Sequence, residues 1–322
     1  MVKQRGSTPL SLMRNRKLGD ILRKYQIMIG VGVVCLVFSL ITPNFLSGRN
    51  IINILRQSSY IGLMAIGTTF VIIGGDFDIS IGSTLALCGA LVIMLQNNAA
   101  LSWPVAVILV IFIGGVIGFI NGFFTAKIKI VGIITTLATM AVLRGVTYII
   151  TGKKAQIGQS ESFRILGTGY TPILIFIVMV LIMQFLLKKT KIGRYSCAVG
   201  GNKEAARLSG IPVDFYKILT FVIGGCMAAM GAIVFAARIN SVSPLAGAGY
   251  ELDAIAATVI GGTSVSGGEG SVIGTFIGIL LLIIISNMFN LLGVSVDFQL
   301  IIKGLIILTV VGFDSYTRFK AE

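Results

Sequence analysis

The feature that most constrains this chain is the recurrence of apolar segments long enough to cross a lipid bilayer. A helix of about 20 apolar residues spans the roughly 30 Å hydrocarbon core. The longest polar stretch between such segments, residues 188–217, has 30 residues. Only 12% of the 322 residues are charged, against about 25% in a typical soluble domain. The sequence therefore predicts one all-α polytopic membrane domain over residues 1–322.

Ten segments are apolar enough to form membrane-embedded helices, with ends that pattern alone places only to within a few residues. They are residues 27–42, 57–74, 82–96, 105–126, 130–151, 171–187, 218–237, 252–263, 270–288 and 298–314. The segment 252–263 is short, so it either crosses the membrane or re-enters on one side. We favour ten crossings because of the distribution of charge.

The basic residues orient the chain, whose formal net charge is +14. With ten crossings, eighteen Lys and Arg residues fall in segments on the side of the N-terminus and six in the loops opposite. Cytoplasmic loops are enriched in these residues, so both termini and the loop 188–217 are expected in the cytoplasm. Residues 1–26 form the expected cytoplasmic N-terminal segment, and no small-residue cleavage site follows it. The expected location is the inner membrane, with no nucleic-acid partner.

Several classes of function are excluded or disfavoured by the residues themselves. The chain has no histidine, which excludes His-based catalysis. Its four cysteines, Cys35, Cys88, Cys197 and Cys226, indicate neither a disulfide framework nor a metal site. No Gly-x-x-x-x-Gly-Lys-Ser/Thr phosphate loop and no nucleophile elbow occur. We therefore expect a non-catalytic chain without cofactor or metal, whose ATP and Mg, if transport is ATP-driven, are bound by a partner.

Glycine is ordered along two helices and at an internal repeat. Gly114, Gly118 and Gly122 share one helix face, as do Gly270, Gly274 and Gly278. Such spacing favours close helix packing in lipid, and a moving pore wall is the alternative. The weak repeat relates residues 71–75 to 259–262, each followed by a Gly/Ser-rich stretch and an apolar helix. In the ten-span topology both stretches face the same side, as in a parallel transporter repeat, unless the similarity is chance.

The segment Gly74-Gly-Asp-Phe-Asp-Ile-Ser-Ile-Gly-Ser83 places two carboxylates and two hydroxyls between apolar helices. Charged groups at membrane depth usually face a bundle interior or a watery cavity. A capped turn at the membrane surface and a gate or solute path both fit. Glu251 and Asp253 open the span 252–263, where they either complement the helix dipole or contact a partner or the pore.

Arg144, Lys303 and Asn121 are among the polar residues within the predicted spans. Arg144 is expected to pair with a carboxylate, to bond to carbonyls, or to reach outward to the membrane surface. Asn121 is expected to bond across helices. In the loop 188–217, Asn202 to Leu208 predicts a short amphipathic helix, with Asn202 as its N-cap and Gly210 and Pro212 ending it. A helix of this kind suits docking, and a solvated basic loop is the alternative.

Together these residues resemble the permease subunits of ABC importers for ribose and related sugars, from Thr42-Pro-Asn-Phe-Leu46 to the last span. The most specific motifs are Ala198-Val-Gly-Gly-Asn-Lys-Glu-Ala-Ala-Arg-Leu-Ser-Gly210 and Gly249-Tyr-Glu-Leu-Asp-Ala-Ile-Ala-Ala-Thr-Val-Ile-Gly-Gly-Thr-Ser264. Phe77-Asp-Ile-Ser-Ile-Gly-Ser83, Asn121-Gly122, Thr136-Leu137 and Arg144-Gly145 add to them. The chain departs from the family pattern at Asp76, an extra acid, and at Val131-Gly132, where prolines are common.

The resemblance implies a type II ABC importer-like fold and three protein partners. These are a second permease copy, forming a homodimer in the simplest case, an ABC ATPase below, and an extracytoplasmic sugar-binding protein above. The resemblance also implies that the cytoplasmic loop couples to the ATPase, through Gly200, Gly201, Asn202, Glu204, Ala205, Ala206, Arg207, Ser209 and Gly210.

Candidate pathway or gate residues are the polar ones at or near membrane depth: Asp76, Asp78, Ser80, Ser83, Asn121, Thr136, Arg144, Glu251, Asp253, Thr263 and Ser264. Arg49 and Arg56, on the outer side, are candidate contacts for the binding protein. An ion-coupled secondary transporter or channel is the alternative function, because Asp76 and Asp78 are intramembrane acids that such a protein needs.

Overall fold

The computed structural model describes residues 30–32, 34–42 and 44–319. The expected cytoplasmic segment 1–26 lies outside these residues, as does Lys320. The described chain is almost entirely helical, with two two-residue strands, β1 (Gln156–Ile157) and β2 (Ser241–Val242), that pair antiparallel. A 3₁₀ turn covers Phe163–Leu166.

The helices follow one another with short connections. They are α1 (Gly30–Ile41), α2 (Gly48–Ile73), α3 (Ile81–Asn97), α4 (Trp103–Ala126), α5 (Gly132–Thr151), α6 (Thr171–Lys189), α7 (Lys191–Gly201), α8 (Lys203–Leu208), α9 (Val213–Ile239), α10 (Tyr250–Ile260), α11 (Val272–Leu291) and α12 (Val296–Phe319).

Nine of the ten predicted segments, and the described part of the segment 27–42, overlap a helix, which confirms a mostly helical architecture consistent with a polytopic membrane protein. Among the described residues, five helices (α4, α5, α6, α9 and α11) are long and apolar enough to cross a membrane. The number of crossings stays a prediction. α10 has 11 residues, about 16 Å at 1.5 Å per residue, so by itself it covers about half of the hydrocarbon core.

The largest boundary difference from the sequence prediction is at α2, and one helix was not predicted. α2 begins at Gly48 rather than residue 57, because the Ser47 side chain accepts a hydrogen bond from the Asn50 amide and caps the helix there. Arg49 and Arg56 therefore lie on a helix and not in a loop. The stretch 188–217 contains a helix, α7, that the sequence prediction missed. α7 has a polar composition, and it is held by tertiary contacts.

α9 runs through the centre of the bundle, and most of its residues are buried. The glycine stripe of α4 packs directly against it: a Cβ on Gly114 would lie 2.5 Å from the Gly225 carbonyl oxygen, and one on Gly118 would overlap the Phe221 carbonyl oxygen. On α11, Gly274 and Gly278 approach α10 equally closely, at Gly261 and Ala257. The prediction of tight helix packing is confirmed for the stripe on α4 and for Gly274 and Gly278, whereas Gly270 precedes α11 and does not belong to its face.

The two repeat segments end their helices in the same way. Gly74 and Gly261 cap α2 and α10 with nearly equal dihedrals, and Gly75 and Gly262 follow at φ +82° and +85°. Such positive φ values strain any residue with a Cβ. The Gly268 amide donates to the Ile73 carbonyl oxygen at 2.9 Å. The two polar stretches therefore meet at the same end of the bundle, as the ten-span topology predicts.

Candidate functional site

A non-helical segment, Asp76–Ser80, separates α2 from α3 and carries the first candidate residues. Thr136 of α5 accepts a hydrogen bond from the Ile79 amide at 3.2 Å and donates to the Phe77 carbonyl oxygen at 3.3 Å. Non-helical backbone at membrane depth needs such hydrogen-bond partners, because lipid chains offer no donors or acceptors. We call Asp76–Ser80 the hinge segment.

Asp78 is the centre of a buried hydrogen-bond network at the end of the hinge segment. Its Oδ1 accepts from the Ser80 amide at 2.8 Å and from the Ser80 hydroxyl at 2.6 Å. Asn121 Nδ2 of α4 donates to Ser80 Oγ at 2.9 Å, and Asn121 Oδ1 accepts from Thr139 of α5 at 2.6 Å. The prediction that Asn121 bonds across helices is confirmed.

This gate network, which we define as Asp78, Ser80, Asn121, Thr136 and Thr139, joins the start of α3 to α4 and α5. Four of its members were candidates from the sequence. Thr139 was missed, although it lies one turn after Thr136 on the same helix. Ser83 belongs to α3 itself, since its hydroxyl donates to the Ser80 carbonyl oxygen at 2.8 Å.

Arg144 holds a second non-helical segment, Ser243–Gly249, which we call the re-entrant segment. Its Nη1 donates to the carbonyl oxygens of Pro244 at 2.5 Å and Ala246 at 3.0 Å. Arg144 lies twelve residues into α5, about 18 Å along the helix axis. Of the three roles open to Arg144, bonding to carbonyls is therefore the one observed.

The re-entrant segment packs on the first turn of α3. A Cβ on Gly247 would lie 2.6 Å from the Gly82 carbonyl oxygen, and a Cβ on Gly82 would overlap Glu251 and Gly247. The two open segments of the chain thus converge where α3 and α10 begin, between Arg144 and the gate network.

The two acids of α10 lie in its first turn, as the sequence predicts. Glu251 Oε1 accepts from the Gly249 amide at 3.1 Å. Asp253 Oδ2 forms an ion pair with Lys303 of α12 at 3.0 Å. The sequence had placed Lys303 within a span without a partner, so this pair ties α12 to the re-entrant half of the bundle.

Thr263 and Ser264 lie in the loop after α10, at the end of the bundle where Gly268 meets Ile73. Both side chains are buried. Within the described ranges, no hydrogen bond connects either side chain to the gate network. The structure therefore separates these two candidates from Asp78, although the sequence grouped them.

An apolar groove of about 380 Å³ between α4 and α5 runs beside the gate network, with Thr135 and Thr139 among its lining residues. The other lining residues are hydrophobic: Ile117, Ile120, Phe124, Ile130, Ile134, Ala138, Val142 and Leu143. This lining suits an acyl chain or a neighbouring helix better than a sugar, which needs several converging polar groups.

α8, which we call the docking helix, has the cap that the sequence predicts. Asn202 Oδ1 accepts from the Ala205 amide at 2.9 Å. Ala206 is buried in a small cluster with Val199 and Val213. The opposite side of the helix carries the exposed Glu204–Arg207 ion pair of 3.4 Å.

Leu208, at the end of the docking helix, is 88% exposed. Single exposed apolar side chains are common on protein surfaces, so the exposure of Leu208 alone assigns no contact. Ala205, Ser209 and Gly210 are also exposed, and the Ser209 hydroxyl donates back to the Ala205 carbonyl oxygen. Gly200 packs against the end of α2 at Ile73. The contacts of Gly200 and Ala206 are therefore within the chain.

Two ion pairs surround the start of α9. Lys217 Nζ lies 2.6 Å from Asp76 Oδ2, and Lys127 Nζ lies 3.0 Å from Asp214 Oδ2. Asp76, the first residue of the hinge segment, is thereby joined to the base of α9.

Arg49 and Arg56 lie at the opposite end of the bundle. Arg49 is exposed, and Arg56 Nε donates to the Gly169 carbonyl oxygen at 2.8 Å, in the loop before α6. Both arginines are thus on the side away from the docking helix.

Comparison with known proteins adds to this geometry. The family model described as branched-chain amino acid transport system / permease component matches residues 50–311. The chain is 40% identical to the ribose import permease protein of Haemophilus influenzae, over 95% of this chain and 97% of that protein. It is 38% identical to the L-arabinose transport system permease protein of Escherichia coli, over 93% of each chain. No solved structure matches the chain.

Proposed function

The chain belongs to the family of branched-chain amino acid transport system permease components, and from this premise we propose that it is the transmembrane permease subunit of an ATP-driven sugar importer. The observation that carries the proposal is the 40% identity to a ribose import permease along nearly the whole chain. The family description names amino acids, but the full-length relatives transport ribose and arabinose. Ribose or a related small sugar is therefore the proposed solute.

The proposed topology has ten crossings, with both termini in the cytoplasm. The proposed location is the inner membrane. The re-entrant segment and α10 count together as one crossing, since α10 spans only about half of the core. The positive-inside bias supports this orientation. The structure is consistent with this orientation, because one end of the bundle carries Lys127, Lys188 and Lys217 and the other carries Arg56.

The proposed sugar path passes the hinge segment and the re-entrant segment. Non-helical backbone at membrane depth occurs where it lines a cavity or is buried in protein, and discontinuous helices are a recurring way to build transporter sites. Alternating access then consists of a shift of these two segments relative to α5, with the gate network and Arg144 holding one of the two arrangements.

The docking helix is the proposed contact for the ABC ATPase, which binds the ATP and Mg that this chain does not. Its exposed Leu208 and its Glu204–Arg207 pair supply an apolar centre with a charged rim. The sugar-binding protein would bind at the outer end of the bundle, near Arg49 and Arg56. The largely exposed faces of α4, α5 and α6 leave apolar surface for lipid and for a second permease copy, in the proposed homodimer.

The test is uptake of radiolabelled ribose into proteoliposomes that contain the complete complex. We expect uptake to require ATP on the docking-helix side and binding protein on the opposite side. Dissipating proton and sodium gradients should leave uptake unchanged. Uptake by the permease alone, driven by an ion gradient, would contradict the proposal and favour a secondary transporter. Competition by unlabelled arabinose and xylose would measure the sugar preference.

A further inference from the structure

The pair Asp76–Lys217 is the more buried of the two ion pairs at the start of α9. Its side chains are 12% and 14% exposed, whereas those of Asp214 and Lys127 are 35% and 53% exposed. The 2.6 Å separation between Lys217 Nζ and Asp76 Oδ2 is that of a close ion pair, although the atoms are not aligned as a hydrogen bond. Water screens such a buried pair far less than an exposed one.

Lys217 lies just past the first turn of α9, whose start is joined to the docking helix. Val213, the first residue of α9, packs with Ala206 of the docking helix and Val199 of α7. Only residues 209–212 separate the two helices. A displacement of the docking helix therefore moves the base of α9, and Lys217 with it.

Asp76 lies at the other end of this connection, as the first residue of the hinge segment. The next residues are held by Thr136 through the Phe77 carbonyl oxygen and the Ile79 amide. Asp78 follows and anchors the gate network through Ser80. A displacement of Asp76 is therefore transmitted through the four non-helical residues 77–80, the last of which belongs to the gate network.

We propose that Asp76 is a positioning residue that connects the docking helix to the gate network through its ion pair with Lys217. The inference rests on the proposed function, because it assigns a role within the same transport cycle. Asp76 contacts neither ATP nor sugar in this account. It sets the position of the hinge segment relative to α9 in the arrangement described here.

The charges alone do not distinguish the pair Asp76–Lys217 from the pair Lys127–Asp214. Lys127–Asp214 also joins α9 to a neighbouring helix, but it is exposed, and exposed pairs contribute little. Its helix, α4, contacts the rest of α9 through the glycine stripe, so the bond to Lys127 adds little. The hinge segment itself is not helical: Gly74, just before it, packs against Thr220 of α9, and Asp76 supplies the ion pair to α9 within the segment.

The test is a double-mutant cycle in the reconstituted complex, with sugar transported per ATP hydrolysed as the readout. The variants are Asp76→Asn, Lys217→Met and their combination. Each single change leaves a buried charge without its partner, which endangers folding, whereas the combined change leaves none. The combined variant therefore tests the role of the pair in a protein that folds. The matched control is Lys127→Met with Asp214→Asn.

We expect the combined variant to assemble in wild-type amounts and to transport about 2- to 30-fold less sugar per ATP, the range for broken coupling between sites. The control pair should keep the wild-type ratio. If the combined variant regains the wild-type ratio, Asp76 and Lys217 only balance each other's charge, and the inference is wrong. A wild-type complex that shows no ATP-driven uptake would overturn the proposed function as well.

Discussion

The gate network and the docking helix are two polar regions of this bundle that are built in opposite ways. In the gate network every member is bonded to another part of the chain, and Asp78, Ser80 and Asn121 are almost fully buried. The docking helix makes few contacts with the chain, and it presents Leu208 and an exposed ion pair outward. Polar groups in the first region hold a conformation, and those in the second are free to receive a partner.

The difference indicates that the two regions have separate roles, one in holding a conformation and one in binding a partner. Buried polar networks define one arrangement, because each unmatched donor or acceptor costs free energy at low dielectric. An exposed helix with one apolar side chain is not held in place by such a network. Its exposed side chains therefore contribute binding free energy only when a partner covers them. Changes in the two regions should therefore have separable effects on transport and on assembly.

The largest effect is expected for Arg144→Met. This change removes two hydrogen bonds from a charged donor to the re-entrant segment, which together contribute about 3 kcal/mol or more. Sugar uptake per complex should fall by about 100-fold, since each 1.4 kcal/mol is a factor of ten. Uptake into proteoliposomes measures this.

Arg144→Lys is the matched variant. Lysine keeps the charge but lacks the planar fork that reaches two carbonyl oxygens from one position. Only partial recovery is expected. Full activity of either variant would mean that the re-entrant segment does not depend on this side chain.

A smaller effect, confined to assembly, is expected for Leu208→Asp. Burial of a leucine at an interface contributes about 1.5–3 kcal/mol, so ATPase affinity should weaken by about 10- to 100-fold. The thermal stability of the isolated permease should not change, because Leu208 contacts little of its own chain. Ile165→Asp, at a 57% exposed site in the loop on the other side, is the control and should leave ATPase binding intact.

The smallest effect is expected for Asn202→Ala. Loss of an N-cap costs about 1 kcal/mol, which corresponds to about five-fold weaker ATPase association if the docking helix must be folded to bind. Asn202→Asp keeps the cap and should retain wild-type affinity. Equal affinities for the alanine and aspartate variants, measured by surface binding, would show that the cap is not needed at this interface.

The sequence predicted the helices well because lipid exposure makes their apolar runs continuous. It also predicted the cap of the docking helix at Asn202, since capping is a local property of the chain. The missed helix α7 has a polar composition and is held by contacts with the ends of α2 and α6. Its apolar side chains do lie on one face, but three of its eleven residues are glycine, which lowers helix propensity.

The partners of the charged residues could not be predicted in the same way. Arg144 bonds to Pro244 and Ala246 a hundred residues later, and Lys303 pairs with Asp253 fifty residues earlier. Such pairings depend on how helices are arranged, which local pattern does not encode. The re-entrant segment was missed for a related reason: its small residues indicate a loop, and only its packing on Gly82 shows that it runs back into the bundle.

The measurement that tests this account most directly is ribose uptake divided by the amount of assembled complex, for Arg144→Met and Leu208→Asp side by side. The account predicts that Arg144→Met lowers this ratio by about 100-fold while assembly is retained. Leu208→Asp should lower assembly and leave the ratio at the wild-type value. A ratio that falls equally in both variants would contradict the separate roles of the buried polar contacts, here those of Arg144 with the re-entrant segment, and of the docking helix.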